Sequence, residues 1–410
     1  MDKTGYGVQM TTTEAVHGGV PELTPARWTD SKRYAWLLGL LVPTLPFIAW
    51  GLVEVTGLGV FWFFGPLFVF GVMPFLDHLV GDDAKNPPDS VVQWLEQDRY
   101  YRWCTYLYLP LQYTSLVVAC WLWAGGGLSA VESLGLALTV GCVCGIAINT
   151  AHELGHKRAS VERWLSKVAL AQSGYGHFFI EHNRGHHVRV ATPEDPASSR
   201  MGESFWAFLP RTVTGSLKSS WELEAERLRR GGSSPWTIKN DILNAWAMTV
   251  VLFGALTATF GVAVLPWLLV QAVFGFSLLE VVNYLEHYGL LRDKREDGRY
   301  VRTEPRHSWN SNRVSSNVLL YHLQRHSDHH AHPLRRFQAL RHFDEAPELP
   351  SGYATMIVLA VVPPLWRRVM DPRVLDHYDG DVTRANIHPR RRERVLRRYG
   401  GENNTAGLVA

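Results

Sequence analysis

The chain has 410 residues, of which only 19% are charged and 12% are aromatic, and its formal net charge is +3. This length would suggest two or three domains in a soluble protein. The composition argues against a soluble protein, because the charged residues are strongly segregated along the chain. The four cysteines include no C-x-x-C pair, so the chain encodes neither a zinc knuckle nor an iron–sulfur or rubredoxin-type site.

Lysine and arginine are absent from three long stretches of the chain. These stretches lie between Arg33 and Lys85, between Arg102 and Lys157, and between Lys239 and Arg292. A helix needs about 20 residues to cross a hydrocarbon core ~30 Å thick, so each stretch accommodates a hairpin of two membrane spans. Six spans are therefore predicted, over residues 35–53, 59–78, 105–124, 132–150, 242–261 and 264–284.

The distribution of positive charge also predicts an orientation. All 41 Lys and Arg residues lie outside the three stretches, and the positive-inside rule then places both termini and the segments between hairpins in the cytoplasm. The predicted fold class is all-α, an integral membrane bundle of six transmembrane helices with a His-rich cytoplasmic cap. A soluble protein with buried helices is the alternative. The expected segments are a cytoplasmic lead (1–34), a membrane domain (35–289) with a cytoplasmic insert (157–240), a cap (290–390), and a tail (391–410) that is basic and then disordered.

Nine histidines occur in four short runs, each directly after a long apolar segment or in the polar stretch that follows it. The runs are HELGH (152–156), EHNRGHH (181–187), EH (286–287) and HSDHH (326–330). A spacing of four residues places two imidazoles on one face of a helix, and imidazole is a common ligand for borderline transition metals. Nine imidazoles exceed the needs of one ion. We therefore predict a polynuclear metal site at a membrane surface, with the ligands His152, His156, His182, His186, His187, His287, His326, His329 and His330.

Two other classes of metalloprotein use similar residues. His152-Glu153-Leu-Gly-His156 matches the H-E-x-x-H pattern of zinc proteases, in which the glutamate is the general base. One zinc ion would nevertheless leave about six of the clustered histidines without a role. A membrane metal transporter or store would place ionisable ligands within the spans along a pathway, whereas these histidines cluster at the ends of the spans.

The runs HELGHK (152–157), EHNRGHH (181–187), NYLEHYG (283–289) and LQRHSDHHAHP (323–333) resemble the signatures of the membrane alkane 1-monooxygenases. These enzymes belong to a His-rich di-iron group that includes the membrane fatty-acid desaturases. The last two runs are the more selective, and the resemblance covers residues 20–390. It implies two non-haem irons that use O2 to convert medium-chain n-alkanes to primary alcohols at the terminal methyl. A xylene-type methyl hydroxylase and a fatty-acyl desaturase remain alternatives.

The resemblance also implies partners and a location. Electrons are expected from NAD(P)H through a rubredoxin reductase and rubredoxin. Because the 410 residues contain no rubredoxin cysteines, the electron carrier is expected to be a separate protein or a part of the polypeptide beyond these residues. The expected location is a bacterial-type inner membrane, in contact with lipid, and no nucleic-acid partner is expected.

Further residues are candidates for roles around the metals. Glu181, Glu286 and Asp328 adjoin ligands and could orient imidazole N–H groups, and His322 lies one turn before His326. Glu280, Asn283 and Asn149 could face one polar cavity, because a carboxylate within a span is costly to bury unless it is paired. From the family resemblance, Val69 is the candidate position in the second span for limiting substrate length. Solvated carboxylates and lipid-facing side chains are the alternative interpretations.

Overall fold

The computed structural model describes residues 28–400, and the predictions for the start of the lead and for the disordered end of the tail lie outside these residues. Within the described range, helices form nearly all of the regular structure and no strand is present. The predicted all-α class is therefore confirmed.

Within residues 28–400, six helices are long and apolar enough to cross a membrane, as the three stretches without Lys and Arg predict. We number them spans 1 to 6: Ala35–Thr56, Gly59–Val80, Arg99–Ala124, Ala130–Gly155, Asp241–Phe260 and Val262–His287. Span 3 begins before its predicted start because the Asp98 side chain caps it, accepting a hydrogen bond from the Tyr100 amide. Span 4 continues past residue 150 to Gly155, so that it carries His152.

The first two spans contain irregular helical turns. Span 1 begins as a 3₁₀ helix over Ala35–Thr44, which contains Pro43. Span 2 includes a π-helical turn over Phe68–Val72, directly before Pro74 in the following helical segment. Proline has no amide hydrogen, so the ordinary backbone ladder cannot be complete at these positions. The π turn is of interest because it carries Val69, and such turns are frequent at functional sites.

Spans 4 and 6 approach each other closely at small residues. A Cβ atom on Gly275 would lie 2.7 Å from the Cys144 sulfur, and one on Gly145 would lie 3.0 Å from the Leu278 side chain. Glycine at these two positions therefore allows the close approach, and a side chain at Gly275 in particular would collide with Cys144. The contact brings the ends of the two spans that carry His152 and His287 to the same side of the bundle.

The remaining helices pack against this end of the bundle. A buried cluster joins Tyr284 and Tyr288, at the end of span 6, to Tyr353, Trp366 and Met370. In the described range, the α-helices outside the spans that have six or more residues are Asp89–Gln97, Ser160–Ala171, Phe205–Arg230, Val314–Leu319, His326–Ala331, Tyr353–Ala360, Pro363–His377 and Arg392–Tyr399.

Candidate metal centre

The nine predicted histidines converge into two groups. Within each group the candidate ligand atoms all lie within 4.8 Å of one another. Two nitrogens bound to one ion are at most about 4.2 Å apart, twice a metal–imidazole bond of about 2.1 Å, so small side-chain movements would complete either site. The five-histidine group comprises His152, His156, His182, His187 and His329, and the four-histidine group comprises His186, His287, His326 and His330.

The two groups are drawn from the same elements. Span 4 ends beside the five-histidine group, and span 6 ends at His287 of the four-histidine group. The second His run forms a π-helical turn, Glu181–His186, followed at once by His187. As a result the neighbours His186 and His187 belong to different groups. The short helix His326–Ala331 likewise contributes to both, so the two sites lie side by side.

Ring nitrogens approach one another at distances typical of ligands on a shared ion. In the five-histidine group, His187 Nε2 lies 3.0 Å from His182 Nε2 and 3.1 Å from His329 Nε2. In the four-histidine group, His326 Nε2 lies 2.8 Å from His330 Nε2 and 3.3 Å from His287 Nε2. Such crowding of ring nitrogens is what convergence on a central cation produces.

Buried nitrogen atoms without partners also fit a metal. The Nε2 atoms of His152, His156 and His186 are buried and have no hydrogen-bond partner. Leaving such an atom unsatisfied costs about 1–3 kcal/mol. Burial lowers the pKa of His182, His329 and His330 well below the usual value, which keeps these imidazoles neutral with a lone pair to offer. The residues present therefore fit bound metal ions.

Asp195 orients one candidate ligand. Its Oδ2 atom lies 2.9 Å from His186 Nδ1 and accepts a 2.6 Å hydrogen bond from the Ser198 hydroxyl. Although burial raises it, the pKa of Asp195 falls to about 2, because the His186 ring and the hydrogen bonds from His186 and Ser198 stabilise the carboxylate. This contact holds the proton on His186 Nδ1 and leaves Nε2 for a metal. The sequence analysis did not identify Asp195. This residue lies in a turn nine residues after His186, and no regular spacing connects the two.

Glu286 and Tyr353 form a second contact with the candidate ligands. The Glu286 Oε2 atom lies 3.2 Å from His326 Nε2, and the Tyr353 hydroxyl donates a 2.7 Å hydrogen bond to Glu286 Oε1. The carboxylate thus touches the four-histidine group directly. Nothing in the sequence singled out Tyr353.

The other acidic candidates have different partners. Glu181 pairs with Arg189 at 2.7 Å, and burial raises its pKa to about 7. Asp328 is fully buried and accepts hydrogen bonds from Arg335 and from the Arg341 amide, so it fastens the following loop.

His322 lies against the start of span 1. Its Nδ1 atom bonds the Phe337 carbonyl at 2.9 Å, and its Nε2 atom lies 3.4 Å from Lys32 Nζ. The ring packs edge-on against Trp36. His322 belongs to neither histidine group.

An apolar cavity leads to the histidines. We call it the central cavity; its lining includes His152, His182 and His326 together with the apolar side chains of Val69, Phe178 and Leu320. The other lining residues with polar side chains are Asn149, Asn283, Glu286, Ser316 and Tyr353. Glu280 lies beside it in a small separate cavity, where its carboxylate accepts hydrogen bonds from Tyr175, Thr212 and Asn283.

Comparison with known proteins gives the family. A family model described as fatty acid desaturase matches residues 130–392. The alkane 1-monooxygenase of Acinetobacter baylyi is 48% identical over 91% of this chain and 92% of its own length. That of Ectopseudomonas oleovorans is 47% identical over 93% of this chain and 96% of its own. The xylene/toluene monooxygenase hydroxylase component of Pseudomonas putida is 29% identical over 64% of this chain and 70% of its own. The chain belongs to the alkane 1-monooxygenase family, a group of non-haem iron enzymes within the fatty acid desaturase family.

Proposed function

We propose that this protein hydroxylates the terminal methyl of medium-chain n-alkanes at two irons, one held by each histidine group. One atom of O2 enters the terminal C–H bond to give a primary alcohol, and the other leaves as water after taking up two electrons and two protons. The observation that carries the proposal is the convergence of nine histidines at the end of an apolar cavity. Bound iron would supply the redox chemistry that activates O2.

The protein's own residues would orient the alkane and exclude water from the central cavity. The apolar walls of the central cavity exclude water and bind an alkyl chain through its buried surface alone. The chain would lie with one end against His152, His182 and His326. A cavity that admits the alkyl chain end first would favour attack at the terminal methyl, because only the chain end would reach the reacting position.

The partners and the orientation follow from the same proposal. We infer that rubredoxin, reduced by an NAD(P)H-dependent reductase, delivers electrons from the cytoplasmic side of the inner membrane. The argument for this side is the absence of Lys and Arg from the turns within the three hairpins, while the segments joined to the histidine groups carry many.

Product analysis with iron counting tests the function. Purified protein is offered octane, xylene or an acyl-CoA, with electrons supplied through rubredoxin. We expect 1-octanol as the preferred product and two irons per chain. A preference for xylene, giving methylbenzyl alcohol, would replace the proposal with the aromatic methyl hydroxylase, and a new double bond in the acyl chain would indicate a desaturase.

The contacts of Glu153 argue against the zinc-protease alternative. Its carboxylate is paired with Lys157 at 3.1 Å and lies 3.4 Å from the Phe337 amide. It does not line the central cavity. A general base must reach a metal-bound water and a substrate, whereas this carboxylate connects the end of span 4 to the loop after the last His run.

Substitution of Val69 tests the binding mode of the substrate. We expect Val69→Trp to lower the rate with dodecane relative to octane by about tenfold, because added bulk in a packed site costs about 1–3 kcal/mol for the chain that needs the space. Product ratios from mixed alkanes give the measurement. Val72→Trp is the matched control, since Val72 lies in the same span and is 40% exposed. Equal chain-length profiles in the two variants would remove Val69 from the binding site.

A further inference from the structure

A second apolar pocket adjoins the central cavity. We call it the outer pocket; it lies on the outer face of span 6, next to the start of the Phe205–Arg230 helix and the Tyr353–Ala360 helix. Trp206, Leu269, Val273 and Val358 line it, and each is between 44% and 59% exposed. Leu269 and Val273 are exposed on span 6, where large apolar side chains face lipid tails, so this side of the pocket opens towards the hydrocarbon core of the bilayer.

Two side chains belong to the walls of both cavities. Leu278, from span 6, and Ile357, from the Tyr353–Ala360 helix, line the outer pocket and the central cavity. One layer of side chains therefore separates the two spaces at this point. We call Leu278 and Ile357 the partition.

The partition is braced by the bundle on one side and by the metal centre on the other. Leu278 packs against Gly145 of span 4, where a Cβ atom would lie only 3.0 Å from it. Ile357 follows Tyr353 by one helical turn, and the Tyr353 hydroxyl bonds Glu286 beside the four-histidine group. Any movement of the Tyr353–Ala360 helix would displace Ile357 and this hydrogen bond together.

The outer pocket has the shape and chemistry to hold an extended alkyl chain. Its residues on span 6 run from Leu269 to Val281, which is about 18 Å along the helix at a rise of about 1.5 Å per residue. Ser277 is the only residue with a polar side chain besides Trp206 among those lining it, and the Ser277 hydroxyl is already bonded to the Val273 carbonyl. The Trp206 N–H is likewise bonded to the Val361 carbonyl, so an alkane in the pocket would leave no polar group of the wall without its hydrogen bond.

We propose that the outer pocket is a lateral port through which alkane molecules pass from the bilayer into the central cavity, with Leu278 and Ile357 as the partition that they displace. The inference rests on the proposed function and adds to it the route and the residues that control it. The bilayer concentrates the substrate, and a port at lipid depth lets the alkane reach the histidine groups without crossing water.

Photolabelling of the metal-free protein in lipid vesicles tests the port separately from catalysis. The probe is a medium-chain alkane carrying a diazirine, flashed at increasing times after mixing, with labelled peptides mapped by mass spectrometry. In the unmodified chain we expect label first around Leu209 and Val273 and then around Val69 and Leu320. Leu278→Trp and Ile357→Trp should slow labelling of the inner positions about tenfold, because an alkane must displace a larger side chain to pass between the two cavities.

Two further variants distinguish an effect on alkane passage from a general effect of the substitution on folding or packing. Ile357→Ala removes bulk and should speed inner labelling at least about twofold. Val251→Trp is the control, because Val251 is 70% exposed and lines a different apolar pocket that shares no residue with the central cavity. In the iron-loaded enzyme, the tryptophan variants should lower kcat/KM for octane about tenfold, whereas Val251→Trp, which lies outside both cavities, should leave kcat/KM unchanged.

The outcomes distinguish the two proposals. Inner labelling whose rate is the same in the unmodified chain, the tryptophan variants and Ile357→Ala would overturn the port and leave the proposed function standing. A slowing by Val251→Trp equal to that of the partition variants would also overturn it. Failure of the probe to label the inner positions of the unmodified chain would instead count against an alkane-binding cavity, and hence against the proposed function.

Discussion

His329→Ala and His186→Ala should each lose about one of two bound irons and lower alkane hydroxylation by more than about 100-fold. Residues that only orient metal ligands already contribute 10–100-fold to affinity or activity, so removal of a ligand should cost more. His329 belongs to the five-histidine group and His186 to the four-histidine group. Each substitution should therefore empty its own site first. Iron per chain, measured together with 1-octanol formation, gives the result.

His332→Ala is the matched control for these variants. His332 lies two residues after His330, but its side chain is 51% exposed and bonds Asp328, and it belongs to neither histidine group. It should keep its iron and its activity. Full iron content in either ligand variant would show that the two-group assignment is wrong, and loss of both irons from His332→Ala would show that the measurement reports general damage to the cap.

The number of spans could be predicted from the sequence because the membrane imposes it. The part of a span that crosses the hydrocarbon core excludes Lys and Arg, so the three stretches without these residues reveal three hairpins. The ends of the spans could not be predicted as well. Arg99 and Arg102 come before or at the edge of the second stretch without Lys and Arg, yet the helix of span 3 includes both. Local capping by Asp98, which hydropathy does not report, sets that boundary.

The sequence was sufficient to predict which nine histidines form the candidate site, but not how they divide into two groups. Each His run follows an apolar segment, which is enough to expect the runs at one end of the bundle. The division into five and four depends on the π-helical turn that directs His186 and His187 to different groups. Asp195 and Tyr353 reach the site through tertiary contacts alone, and the partition exists only where the side chains of span 6 meet a helix about eighty residues later.

Asp195→Ala should weaken metal binding at the four-histidine group by about 10–100-fold while the five-histidine group keeps its ion. Removal of the carboxylate frees His186 Nδ1, so the ring can rotate or carry its proton on Nε2, which would then no longer be available to a metal. Asp195→Asn should have a smaller effect, because the amide oxygen can still accept from Nδ1–H. Chelator competition, followed as loss of the first and second iron, separates the two groups.

A structural role for Asp195 would have a different signature. The carboxylate also accepts hydrogen bonds from Ser198 and from the Ala197 amide, so the alanine variant should lose about 1–2 kcal/mol of stability in the metal-free protein as well. If Asp195 contributed only to stability, Asp195→Ala would lose both irons together, and Asp195→Asn would retain neither iron better than Asp195→Ala does. Asp344→Ala is the control, because Asp344 bonds His342 in the same cap but is fully exposed. Selective loss of one iron in Asp195→Ala, with normal retention in Asp344→Ala, would identify the carboxylate as the group that fixes the tautomer of His186.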